Sequence, residues 1–113
     1  MKTVKAMATK TAYPFRVEPQ EVDFSLRITL VALGGNILNI AGIDAHIKGF
    51  GVDALNKDNF SWVLSRIAFE FDYRPEEYVK YEIATWISDY GRMLSTRNFE
   101  LTDQTGVCFG RVV

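Results

Sequence analysis

Apolar residues recur along this chain with two periods, and the change of period separates one helix from a set of strands. From Thr29 onward Leu30, Leu33, Ile37, Ile40, Ala41, Asp44 and Ile47 follow at steps of mostly three and four residues, the helical period. Thr29 has an N-cap side chain and predicts the start of the helix, and Gly49 and Gly51, either side of Phe50, predict its end. Val31, Leu38, Ile43 and Ala45 lie outside the stripe. The helix is therefore apolar nearly all round, which predicts burial on most sides.

Elsewhere the alternation has period two. Tyr13 to Phe24 carries Pro14 and Pro19 and mixes Phe15, Val17 and Val22 with charged neighbours, as an edge strand does. After a polar region at Asn56 to Asn59, three strand-like runs follow. Phe60 to Asp72 puts Val63, Ile67, Phe69 and Phe71 on one side and Phe60, Trp62, Leu64 and Arg66 on the other, and Tyr73 to Glu77 closes it. Tyr78 to Tyr90 places Val79, Tyr81, Ile83, Thr85 and Ile87 on one face and breaks at Gly91. Met93 to Asp103 is the third run, and a turn at Asp103 to Gly106 leads into Val107 to Val113. Strands joined by short turns pair antiparallel, because parallel neighbours need long crossovers. The expectation is an α+β fold of the hotdog kind, an antiparallel sheet wrapped around one long central helix. Residues 1–11 read as a solvated tail and 12–113 as one domain, whose last strand reaches Val113 without a stop signal, so a missing continuation or a second chain is expected to complete the sheet.

Composition narrows the function more than the fold. The 113 residues have a net charge of −1, with thirteen Lys and Arg against fourteen Asp and Glu, so no basic surplus exists for nucleic acid or a membrane surface. One cysteine, Cys108, and one histidine exclude an internal disulfide and a Cys/His zinc site, which suggests a reducing, cytoplasmic setting without metal or cofactor. Ile28 to Ile43 is free of charge but too short for a membrane span.

Several blocks in order resemble the amino-terminal hotdog half of acyl-ACP thioesterases. They are Gly49-Phe50-Gly51, then Asn59-Phe60-Ser61-Trp62-Val63-Leu64-Ser65-Arg66, then Thr85-Trp86-Ile87, then Arg97-Asn98-Phe99-Glu100-Leu101-Thr102-Asp103, with Gly106 following. The resemblance runs from about Val22 to the last residue. It implies a two-lobed enzyme whose second lobe carries an Asp-x-Asn-x-His loop ahead of its helix. The corresponding stretch here is Asp23-Phe24-Ser25-Leu26-Arg27, with Ser25 and Arg27 where the Asn and His would stand. An arginine stays protonated at any working pH and cannot serve as the base. The resemblance thus implies the non-catalytic half, recognising the acyl chain, with acyl carrier protein as partner and a second hotdog domain or a homodimer partner completing it.

Individual residues carry candidate roles beside plainer ones. Asp44 sits centrally in the apolar stripe, where burial would raise its affinity for protons and suit it to activating water; alternatively the helix tips its end into solvent, or Asp44 binds loop backbone. Arg66, amid apolar neighbours, needs a partner such as Asp44, Glu70 or the opposite domain, and Arg97 is similar. Trp62 and Trp86 suit a tunnel wall or the core. Gly34 and Gly35 lower helix stability by about 1 kcal/mol each relative to alanine, which suits close packing of the sheet or passage of a slender apolar ligand. Gly34, Ile37, Trp62, Arg66, Trp86, Met93 and Arg97 thereby form the inferred acyl-tunnel set. His46 and Cys108 read as structural. Two rival functions stand beside the thioesterase half: a complete homo-oligomeric hotdog thioesterase using Asp44, and an acyl-binding module without chemistry.

Overall fold

A computed structural model describes residues 9–48, 66–90 and 95–113. Strand β1 spans Thr11–Arg16 and is followed by a 3-10 turn at Pro19–Glu21. Helix α1 spans Leu30–Ile47; then come β2 (Phe69–Phe71), β3 (Lys80–Tyr90), β4 (Ser95–Asp103) and β5 (Cys108–Val112). All strand pairs are antiparallel, in the order β1-β3-β4-β5-β2, and the helix packs on one face, the hotdog arrangement expected.

The helix begins where its cap does: the Thr29 hydroxyl accepts from the Ala32 N–H at 3.1 Å, satisfying one of the first-turn donors. Leu33, Ile37 and Ile40 are buried against Tyr81, Ile83, Phe99, Leu101, Phe109 and Val112, the inward residues of β3, β4 and β5. Full burial of each aliphatic side chain contributes roughly 2 kcal/mol. Period-two alternation places Glu82, Trp86, Glu100 and Arg111 on the other face of the sheet, which is polar.

Expectation and structure part at the helix surface. Burial on most sides does not hold: only the stripe of Leu33, Ile37, Ile40 and Asp44, with Ala45 beside it, is buried, and Val31, Leu38, Ile43 and Ile47 are exposed. The physical reason is geometric, since one sheet covers only one side of a cylinder. The expected strand from Phe60 is described only from residue 66, and there as the short β2; the expected helix stop at Gly49 and Gly51 also lies outside the described residues.

The sheet's two edges differ. Val17 donates to Val79 O at 2.9 Å and accepts from Tyr78 N, so alternation along β1 turns Pro14, which has no N–H, to the outer edge. At the other end Ala68 exchanges both hydrogen bonds with Val113, at 2.9 and 3.0 Å, so the backbone groups of Phe69 and Phe71 face away from β5.

Gly110 on β5 lies under the Phe71 ring, and a Cβ there would stand 2.6 Å from Phe71 Cε1 and nearer still to Cδ1. Gly110→Ala is expected to destabilise the fold by about 1–3 kcal/mol, and by less than about 1 kcal/mol when Phe71 is also replaced by Leu. Chemical denaturation of the single and double variants measures this; equal losses in both backgrounds would refute the packing account.

Candidate functional site

Two polar constellations flank the helix, one before its first turn and one at its last. The first is the loop 23–27. A bridge between Val22 and Ile28 closes it, with Asp23 N–H donating to Arg27 O at 3.1 Å and Leu26 N–H to Asp23 O at 2.9 Å. Leu26 takes φ 60°, a left-handed conformation that strains a side chain with a Cβ. A second loop, Arg74 to Tyr78, clasps it. Arg74 reaches Asp23 at 3.0 Å and Ile28 O at 2.9 Å, while Arg27 reaches Glu76 at 3.1 Å and Arg74 O at 2.9 Å. The Ser25 hydroxyl and N–H, and then Arg74, hold the Asp23 carboxyl down to about 2. Every ionic group of the loop is thereby engaged within the chain. Phe24, at the tip, is fully exposed.

The second constellation surrounds Asp44, which has no solvent exposure. Tyr13 of β1 donates to Oδ1 at 2.6 Å, Arg97 of β4 to Oδ2 at 2.7 Å, and Lys48 Nζ stands 3.0 Å from either oxygen. Arg97 also donates to the Thr85 hydroxyl at 3.0 Å, which donates in turn to Asn98 O at 3.0 Å, and Lys48 Nζ donates to Thr9 O. Two strands, β1 and β4, and the end of the helix therefore meet at one carboxylate, with Thr85 of β3 one contact further out. Burial alone would push this carboxyl up, but the hydrogen bonds from Tyr13, Arg97 and Lys48 and the Lys48 charge outweigh it and hold Asp44 below the usual carboxylate range. This corrects the expectation of raised proton affinity. Asp44 is neither solvated nor bound to loop backbone; it is an ionised anchor, held so by the Tyr13 hydroxyl and then by Arg97 and Lys48. The same contacts carry Tyr13 up to about 12, chiefly through burial and the Asp44 hydrogen bond.

The remaining inferred tunnel residues are not brought together. Arg66 is exposed, and of the two arginines it is Arg97 that pairs with Asp44, one of the partners considered for Arg66. Trp86 lies on the face of β3 away from the helix, its ring under Lys10 Nζ at 4.8 Å, because it alternates with the inward Thr85 and Ile87. Ile37 is core. Gly34 faces the edge of the Phe69 ring, 3.6 Å from where a Cβ would stand, an ordinary contact distance, and Gly35 has open space, so packing against the described residues requires neither glycine. Trp62 and Met93 lie outside the described residues. Beside Gly34 an open groove of about 400 Å³ is lined by Leu30, Phe69, Phe71, Asp72, Tyr73 and Arg74. Sequence reasoning did not find Tyr13 or Arg74, whose partners lie 31 and 51 positions away with no local pattern to announce them. Among the described residues no group of His, Cys, Asp and Glu is arranged to hold a metal ion.

Asp44→Asn is expected to lower stability by about 3 kcal/mol at neutral pH, because it leaves buried cations without their counter-charge. The folded-state proton affinity is depressed relative to the unfolded value near 3.9. The stabilisation is thus fully present above about pH 4 and fades as pH falls through the lower folded value. Denaturant titrations from pH 7 to pH 3 are expected to show the gap between the two proteins narrowing in acid; a constant gap would show that the charge contributes nothing. Leu26→Asn, which tolerates the left-handed conformation, is expected to raise stability by about 1 kcal/mol. An unchanged denaturation midpoint would show that φ at residue 26 carries no strain.

The sequence profile of the acyl-ACP thioesterase N-terminal domain matches residues 8–112. Among solved structures, an acyl-ACP thioesterase from Bacteroides thetaiotaomicron superposes with a TM-score of 0.89 at 39% identity, over 99% of this chain and 45% of that one. The 12:0-ACP thioesterase from Umbellularia californica gives 0.81 at 21% identity, covering 91% and 40%, and a DHNA-CoA thioesterase from Staphylococcus aureus gives 0.80 at 14%, covering 91% and 69%. At these lower identities the likeness shows the fold alone. No curated protein gives a significant match. The chain spans less than half the length of the Bacteroides protein. A profile match over nearly every residue, together with that relative, shows that this chain belongs to the acyl-ACP thioesterase family, as its amino-terminal hotdog domain.

Proposed function

We propose that this chain is the acyl-recognising, non-catalytic lobe of an enzyme that hydrolyses the thioester joining a fatty acyl chain to acyl carrier protein in fatty acid biosynthesis. The observation that carries the division of labour is the loop 23–27. A hydrolytic lobe needs a group there that can take a proton from water, and here Arg27 is a cation paired with Glu76, while Ser25 and Arg74 lower the proton affinity of Asp23 and make it a weak base. Use of Asp44 as the base in a complete one-domain enzyme is disfavoured, because both its oxygens already accept from Tyr13, Arg97 and Lys48.

Two features support a second hotdog unit as the physical partner. The β1 edge is closed to strand addition by Pro14, whereas the β2 edge leaves the backbone groups of Phe69 and Phe71 unpaired among the described residues. The β2 edge adjoins Leu30 across the groove, and the exposed Val31 and Leu38 continue an apolar surface that a soluble protein ordinarily covers. The groove by Gly34 and Phe69 suits the apolar portion of an acyl chain at that seam. A chain of net charge −1 offers an acidic carrier no overall attraction, so a basic docking patch is either local on this lobe or on the other one.

The test compares the 113-residue chain with the full-length protein on acyl carrier protein loaded with acyl chains of different length. Turnover by the full-length protein and none by the 113-residue chain is the expected result. Turnover by the chain alone would overturn the assignment of this lobe as non-catalytic.

A further inference from the structure

The apolar pattern of α1 does not by itself say which side should face the sheet. Leu33, Ile37 and Ile40 are buried, yet Val31, Leu38, Ile43 and Ile47, of the same chemical character, look outward. Val31 and Leu38 flank the buried stripe on one side and Ile43 and Ile47 on the other, so a roll in either direction carries apolar side chains toward the sheet. What distinguishes the observed roll is polar. Asn36, in the middle of the helix, donates through Nδ2 to the Tyr81 hydroxyl of β3 and to Glu21 of the 3-10 turn, both at 2.9 Å. Asp44, eight residues on, accepts from Tyr13 of β1 and Arg97 of β4. Neither residue has these partners in any other roll, and an unpartnered carboxylate or amide against the sheet is strongly disfavoured.

We infer that Asn36 and Asp44 are two polar pins that set the roll and axial register of an otherwise undirected apolar helix, and so decide which apolar face is left for the second unit. The two pins act at separate points along the axis, so together they define rotation and translation. The cluster around Asp44 joins the helix end to β1 and β4, and the Asn36 pair joins its middle to β3, so each pin references the helix to a different part of the sheet. This is the role that a buried polar residue plays when it selects one packing among several that apolar contacts leave nearly equal. The inference uses no assumption about catalysis, and a failure of the acyl-thioesterase reading would leave it standing.

The test separates specificity from stability. In the full-length protein with labelled Ile, Leu and Val methyl groups, Asn36→Leu, Asp44→Leu and Arg97→Met are combined with Tyr13→Phe, which replaces both pins with apolar groups of similar size. The expected result is helix content by far-UV circular dichroism within about a tenth of the parent, with doubled or broadened methyl signals from Leu33 and Ile37 and new contacts from Leu38 or Ile43 to the sheet aromatics. A single set of methyl signals with the parent's contacts would overturn the inference, because the apolar pattern would then suffice. Loss of the helix signal would overturn it equally, by assigning the pins to stability. Asp44→Asn alone, which keeps an acceptor for Tyr13, is expected to retain the single parent set; doubling there would also count against a two-pin device.

Discussion

One helix laid on one sheet has a single protected side, and most of this structure follows from that constraint. The sheet resolves it by alternation, with Tyr81, Ile83, Phe99 and Leu101 turned to the helix and Glu82, Glu100 and Arg111 turned to water. The helix does not resolve it. Its outer residues Val31, Leu38 and Ile43 remain apolar and exposed, so the fold is internally complete on one face and unfinished on the other. Among the described residues the β2 edge has no strand partner on the same flank, where Phe69 meets Gly34 beside the groove.

The polar groups follow the same division. Where the chain is finished, charges are satisfied internally: Asp44 by three donors, Asp23 by Arg74 and Ser25, Arg27 by Glu76. The Asp44 cluster is buried and its donors come from segments distant in sequence, so removing the carboxylate strands its cations, whereas the exposed Arg27–Glu76 pair contributes little to stability. The consequence concerns the acidic groups beside the helix. Among the described residues Asp44 and Asp23 are tied to cations and hydrogen bonds, and the loop before the helix presents an arginine paired with Glu76.

How much of this was legible beforehand depended on whether the signal was local. The helix start at Thr29, the turn at Asp103 to Gly106, the inward face of β3 and the antiparallel pairing all follow from neighbouring residues and their periods, and each stands in the structure as expected. The turn illustrates why: Asp103 Oδ1 accepts from the Thr105 and Val107 N–H groups, and Gly106 adopts φ 89°, all within five residues. The site residues were read less well. Trp86 and Arg97 both belong to strand segments correctly identified, yet their roles depend on which face the strand turns inward and what stands there. Trp86 meets Lys10 on the outer face, and Arg97 meets a carboxylate 53 positions away.

The sequence by itself determined the fold class, the family and the absence of a histidine from the pre-helix loop, because these are carried by period, composition and the identity of residues at fixed spacing. Only the tertiary structure decided the state of Asp44, the roll of the helix and which strand edge is unpaired among the described residues. Those depend on contacts among β1, α1 and β4, and on the direction of individual backbone N–H groups. An apolar residue looks the same in sequence whether it faces the core or the solvent; the polar partner that selects between them comes from far along the chain.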